Sequence, residues 1–255
     1  MLAIAVSVGL VVGVVMGTLG GGGAVLSVPI LVFGFSQAPH DATTASLIIV
    51  GTGAIAGVLA HHRRRTVKWR TGLLFGALGT PAAVAGSWIS GAIDPDLLLA
   101  AFAALLVLVA VLMLRESRKP ESATTEREPR GPATIVLTAL GIGLLTGFFG
   151  VGGGFAMVPA LVLVLGFRMP VAVGTSLLVM TINSAAALLT RAVDGLHGPD
   201  WWLIGCFAAA AVVGNLLGGR LTGRISSNVL QRAFAVLLLL VAVYTAVRAG
   251  TNLAG

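Results

Sequence analysis

Residues 97–114 read LLLAAFAALLVLVAVLML, eighteen positions without a charged or amide side chain. A helix of about 20 such residues spans the roughly 30 Å hydrocarbon core of a bilayer. Comparable apolar segments cover residues 2–34, 42–60, 71–92, 133–167, 171–190, 201–221 and 229–248. A membrane β-barrel needs segments of about 10 residues with alternating polarity, and these runs are continuous. Charged residues make up only 10% of the chain, against about 25% in soluble domains. The expected fold is therefore an all-α polytopic membrane protein.

The formal charge of +7 would suggest nucleic acid in a soluble protein. In a membrane protein it reflects the excess of Lys and Arg in cytoplasmic loops, so no nucleic-acid partner is expected. The single cysteine, Cys206, excludes an intrachain disulfide or a cysteine metal cluster and reads as a packing residue. The N-terminus has no basic region ahead of its apolar run and no clear A-x-A site, so it reads as a membrane segment rather than a removable signal.

Between the fourth and fifth segments, residues 115–132 are rich in charge, Pro, Ser and Thr, the composition of a solvated linker. The chain repeats itself across it. Gly17, Gly20, Gly22, Gly23, Val28 and Pro29 find identical partners 130 residues later in Gly147, Gly150, Gly152, Gly153, Val158 and Pro159. Ser46-Leu47 and Ser176-Leu177 share that offset, and Trp69 and Gly72 match Trp202 and Gly205 at an offset of 133. The expected organisation is a membrane repeat at 1–114, a charged cytoplasmic linker at 115–132 and a second repeat at 133–255, with about four segments per repeat. Internal repeats of this kind characterise secondary transporters.

The first segment of each repeat is too long for one crossing, since 33 helical residues extend about 50 Å at 1.5 Å each. Glycines and then proline break it. If each broken segment crosses once, 12 of the 16 Lys and Arg share one side; if each folds back as a hairpin, the halves become inverted and 14 of the 16 do. The hairpin arrangement obeys the positive-inside rule better and is the expected one.

Four clustered glycines followed by proline, Gly20–Gly23 in one half and Gly150, Gly152, Gly153 and Gly154 in the corresponding place of the other, exceed what helix packing requires. Isolated small-residue pairs such as Gly13/Gly17, Gly53/Gly57 and Gly214/Gly218 read as packing. Non-helical backbone at membrane depth needs protein or a water-filled cavity to satisfy it. Helix N-termini exposed at such a break attract anions. The candidate substrate-binding residues are Gly20, Gly21, Gly22, Gly23 and Pro29 in the first break and Gly150, Gly152, Gly153, Gly154 and Pro159 in the second. Ser46, Thr175, Ser176 and Asn183 join them as polar groups within apolar runs. Asn215 ranks below Asn183, because only the latter follows the second break closely. Arg191 and Arg220, at segment ends, read as interfacial anchors. The run His61-His62-Arg63-Arg64-Arg65 reads as an orienting cytoplasmic loop. Its adjacent histidines lack the helical i, i+4 spacing of a metal site, so no metal or cofactor is expected.

The two glycine-rich stretches ending in Val28-Pro29 and Val158-Pro159, with Gly174-Thr175-Ser176-Leu177 and Asn183-Ser184 downstream, resemble the signature of the sulfite exporter TauE/SafE family of membrane permeases. The resemblance covers essentially the whole chain. The first half departs from it by carrying Thr44-Ala45-Ser46-Leu47 where the second has Gly174-Thr175-Ser176-Leu177. What the resemblance implies is transport of small anions such as sulfite and organosulfonates across a bacterial inner membrane, with export as the direction.

The expected function is thus a secondary transporter of small anions working by alternating access, possessing a lipid bilayer as its other partner and protons as a candidate coupling ion. An anion channel and a non-transporting scaffold or sensor are the alternatives. No H-E-x-x-H or P-loop is present, and no later membrane histidine is available to activate Ser176, so an enzyme is not expected.

Overall fold

A computed structural model describes residues 2–21, 23, 27, 30–35, 37, 39–90, 93–118, 131–149, 154–194 and 201–253. Within them the helices are α1 (Leu2–Leu19), α2 (Pro39–Arg63), α3 (Trp69–Ser90), α4 (Pro95–Glu116), α5 (Pro132–Phe149), α6 (Gly154–Pro159), α7 (Met169–Asp194), α8 (Trp201–Thr222) and α9 (Ser227–Leu253). Single π-helical turns lie at Ile30–Gly34 and, directly after α6, at Ala160–Val164. Eight of these helices are long and apolar enough to cross a membrane. The protein is an all-α, multi-pass membrane protein, and most of the linker at 115–132 lies outside the described residues.

Local chemistry explains the element ends. Pro39, Pro95 and Pro132 open α2, α4 and α5, where the missing N–H costs nothing. Asp94 Oδ1 accepts the Leu97 N–H at 3.2 Å, capping α4. α1 stops at Gly20, whose φ of +70° suits only glycine. The π turn at Ala160–Val164 closes on a left-handed glycine with return bonds one residue wider than those of a Schellman motif. Gly166 takes φ +70°, and the Phe167 N–H reaches back to Leu161 O at 2.9 Å. In the first half the Gln37 N–H reaches Leu31 O at 3.2 Å, the same bond 130 residues earlier.

Large apolar side chains cover the outside: Leu137, Leu189 and Trp88 are among the most exposed residues. This surface suits lipid. Trp69, Trp88, Trp201 and Trp202 are all exposed and stand near helix ends, where indole rings favour the headgroup region. Lipid provides no hydrophobic force to press helices together, so contact depends on close packing at small residues. Gly9 of α1 meets Phe207 and Ala210 of α8, Gly13 meets Ala211, and Gly17 meets Asn215. Residue numbers rise together, so α1 and α8 run in the same direction. α5 lies along α3 in the same way, with Gly143 on Gly79 and Gly147 on Ala83.

The centre is formed by α2 and α7. Gly51 meets Ser184, Gly57 meets Leu177, and Thr44 accepts a hydrogen bond from Arg191. Here the numbers run in opposite senses, so α2 and α7 are antiparallel. α3 is parallel to α7 (Gly72 on Leu178, Gly76 on Ile182), and α2 is parallel to α8 (Gly57 on Asn215, Gly219 on Ala60). α4 packs on α9 beside this core.

Candidate functional site: a crossing of two broken segments

The two glycine breaks meet. Gly20 ends α1 with its N–H donated to Met16 O at 2.7 Å. A Cβ on Gly20 would lie 2.5 Å from Ser176 Oγ and 2.9 Å from Val158 Cγ2. At Gly21 a Cβ would overlap the carbonyl group of Gly154, and a Cβ on Gly154 would lie 3.0 Å from Gly21 Cα and 3.1 Å from Met180 Sδ. The chain of each half thus touches that of the other backbone to backbone, an approach open only to glycine. Gly23 is held against Met16 and Val12 of α1. Pro159 ends α6, and the hydrogen bonding widens to a π turn immediately beyond it. Gly22, Pro29, Gly150, Gly152 and Gly153 lie outside the described residues.

The remaining sequence candidates divide by their partners. Ser176 is fully buried beside Gly20, its hydroxyl donating to Val173 O at 2.8 Å. Thr175, also buried, accepts the Lys68 N–H at 3.1 Å and so ties α7 to the start of α3. Asn183 lies two turns further along α7, about 10 Å away at 1.5 Å per residue. Its Oδ1 accepts the Thr80 hydroxyl at 3.1 Å. Ser46 is buried on α2. The crossing therefore gathers Gly20, Gly21, Gly154 and Ser176, while Thr175 and Asn183 join helix to helix.

Three features escaped the sequence reading. His61, counted there with the basic loop, is buried: Nδ1 lies 2.9 Å from Thr66 Oγ1 and Nε2 lies 3.5 Å from Gly17 O. Thr222 donates to the same Gly17 carbonyl at 2.9 Å. Beside this cluster opens a cavity of about 370 Å³ lined by Arg64 and Thr66, by Arg168, Pro170 and Val171, and by Thr222, Gly223, Ile225 and Ser227. Three connections converge there, α2–α3, α6–α7 and α8–α9. The Met169 N–H donates to Ser227 Oγ at 3.0 Å, joining two of them. Among the described residues the lining carries two guanidinium groups and no carboxylate.

The third feature is the state of Asn215, which the sequence reading had ranked below Asn183. Asn215 is fully buried, and neither Oδ1 nor Nδ2 has a hydrogen-bond partner. The trace in the sequence was the glycine pair Gly53/Gly57, spaced one turn apart on the helix that faces it. Among the described residues no three of His, Cys, Asp and Glu come together as a metal site would require.

A multi-pass bundle whose two broken segments cross backbone to backbone, next to a basic cavity, has the build of a membrane transporter. The chain belongs to the sulfite exporter TauE/SafE family, whose model matches residues 5–245. It is 34% identical to a probable membrane transporter protein of Xylella fastidiosa strain 9a5c, over 99% of this chain and 97% of that protein. It is 28% identical to the probable membrane transporter protein YunE of Bacillus subtilis, over 93% of each. A probable membrane transporter protein of Methanocaldococcus jannaschii is 26% identical over 78% of this chain and 75% of its own length. No solved structure matches.

Proposed function

We propose that this transporter moves small oxyanions, sulfite or organosulfonates foremost, out across a bacterial inner membrane by alternating access. The observation that carries the reading is the crossing of Gly21 and Gly154 beside Ser176. Irregular backbone at membrane depth persists only where protein or a substrate cavity satisfies it. At rest the Ser176 hydroxyl donates to Val173 O and the Gly20 N–H to Met16 O; on this reading the opening of the crossing redirects such donors to the anion, without a buried positive charge. The cavity containing Arg64 and Arg168 then serves as the approach, where two guanidinium groups raise the local anion concentration.

The halves are read as inverted repeats, 1–114 and 133–255, joined by the linker at 115–132. Helix directions support this. α1 and α2 both run parallel to α8 although they are consecutive, so the chain between them returns, as a hairpin does. α5 and α7 stand in the same relation to α3. The repeat-related helices α2 and α7 are antiparallel, whereas parallel repeats would align them. The cavity adds independent support. Single crossings would send Arg64 and Arg168 to opposite membrane faces, yet both line one space. That end is the basic one and faces the cytoplasm on this reading.

The test is flux of sulfite, sulfoacetate and sulfate in proteoliposomes of purified protein, with and without a proton gradient. Saturable flux of a sulfur oxyanion that responds to the gradient is the expected result. Absence of flux for all three, from protein shown to be folded, would remove sulfur oxyanions as the cargo.

A further inference from the structure

Asn215 is the one side chain among the described residues whose two polar atoms are both buried and both without a partner. Gly53 and Gly57, which flank it, lie near the middle of α2, so the carboxamide sits deep in the bilayer. An unpaired amide there is costly, and polar groups at that depth characteristically face a partner or a substrate path.

The surroundings show what Asn215 faces. A Cβ on Gly57 would lie 2.5 Å from Asn215 Oδ1 and 2.8 Å from Leu177 Cδ1, so only glycine admits the carboxamide there. A Cβ on Gly53 would instead sit in ordinary contact, 3.7 Å from Asn215 Nδ2 and from Met16 Cε. A methyl-sized gap therefore adjoins the amide nitrogen. Asn215 belongs to the second half, while Gly53, Gly57 and Met16 belong to the first, so the carboxamide stands on the seam that alternating access would open. The seam leads to the crossing: Met16 also packs where a Cβ on Gly23 would be, and Leu177 follows Ser176 in the chain. By contrast Asn183, the other membrane asparagine of this region, has its oxygen paired with Thr80.

We infer that Asn215 is a substrate-contacting residue at this seam, its Nδ2 donating to an oxygen of the anion and its Oδ1 accepting from a hydrogen the same anion carries. The inference rests on the transport reading above and narrows its cargo. A fully deprotonated oxyanion has acceptors only and would leave Oδ1 bare. A protonated oxyanion, or a sulfonate bearing a hydroxyl group, satisfies both atoms.

The near-isosteric variant Asn215→Leu tests this in two readings on detergent-purified protein and proteoliposomes. Removing an unsatisfied buried amide raises the melting temperature by about 2–4 °C. Competition against sulfite flux by 2-hydroxyethanesulfonate and ethanesulfonate reads the second hydrogen bond. The wild-type protein favours the hydroxylated probe at least about tenfold, because a site built to bond a hydroxyl rejects the analogue lacking it. In Asn215→Leu the preference falls to near unity. Asn215→Ala, which leaves space instead of filling it, loses the preference too and guards against a packing artefact. A lower melting temperature in Asn215→Leu would mean the amide is already satisfied at rest, and an unchanged preference would mean it does not touch the cargo; either result overturns the inference. Wild-type protein without sulfite flux would sink the transport reading itself, whereas wild-type flux with an indifferent variant sinks only the role of Asn215.

Discussion

Along the seam between α1 and α8, Gly9, Gly13 and Gly17 face Phe207, Ala211 and Asn215; along the seam between α3 and α5, Gly143 and Gly147 face Gly79 and Ala83. Both pair the first helix of one half with the third helix of the other, and both run parallel with glycine at one-turn spacing. Their polar content differs. Where Gly17 meets Asn215, its counterpart Gly147 meets Ala83. The Gly17 carbonyl accepts from Thr222 and lies beside His61, while the second seam holds Thr146 with its hydroxyl buried and unbonded. Both seams carry the glycines, because backbone contact in lipid tolerates nothing larger. Their polar groups differ, and only the first seam carries an asparagine.

The seams predict equal sensitivity where they are alike. A Cβ on Gly13 would overlap the Ala211 carbonyl and one on Gly147 the Ala83 carbonyl. Gly13→Val and Gly147→Val should each cost about 3 kcal/mol or more by overpacking, read as loss of folded protein on thermal melting in detergent. Wild-type melting of either would break the equivalence of the two seams.

The basic cavity belongs to one end only. Neutralising both of its arginines, in Arg64→Gln/Arg168→Gln, should raise KM for the transported anion about tenfold at low salt. The difference should shrink at high ionic strength as the long-range attraction is screened. A KM unchanged at low salt would detach the cavity from the transport path.

Smaller effects sharpen the comparison of repeat-related positions. Gly72 and Gly205 match in sequence, yet a Cβ on Gly72 would press on Leu178 Cδ2 at 2.6 Å while one on Gly205 meets nothing within 4 Å. Gly205→Ala should stabilise by about 0.4–1 kcal/mol through chain entropy, and Gly72→Ala should destabilise. The same sign for both would break the contrast between the two positions. The pair Thr80 and Asn183 should show the smallest term. A double-mutant cycle with alanine at each is expected to give a coupling of about 0.6 kcal/mol, the average for hydrogen bonds between membrane helices. Zero coupling would free Asn183 for another partner.

Much of the architecture was legible in the chain because the bilayer imposes it segment by segment. Residues 97–114 announce a spanning helix on their own, and the glycine-proline breaks, matched at an offset of 130, announce where helices stop. In the fold Gly21 and Gly154 bring those breaks together. Partners of single polar side chains were not legible. Thr175 read as a site residue and bonds the Lys68 backbone, 107 positions away. His61 read as part of an orienting basic loop and lies buried between Gly17 and Thr66.

By itself, then, the sequence determined that this is a multi-pass helical membrane protein, that its two halves share one pattern, and where each is interrupted. Apolar length and the backbone demands of glycine and proline are local properties, complete within a few turns of chain. Only the tertiary structure decided which asparagine is paired and which is bare, and which arginines share a cavity. Those outcomes depend on helices distant in sequence lying side by side, and a hydrogen bond exists only when its partner arrives within about 3 Å.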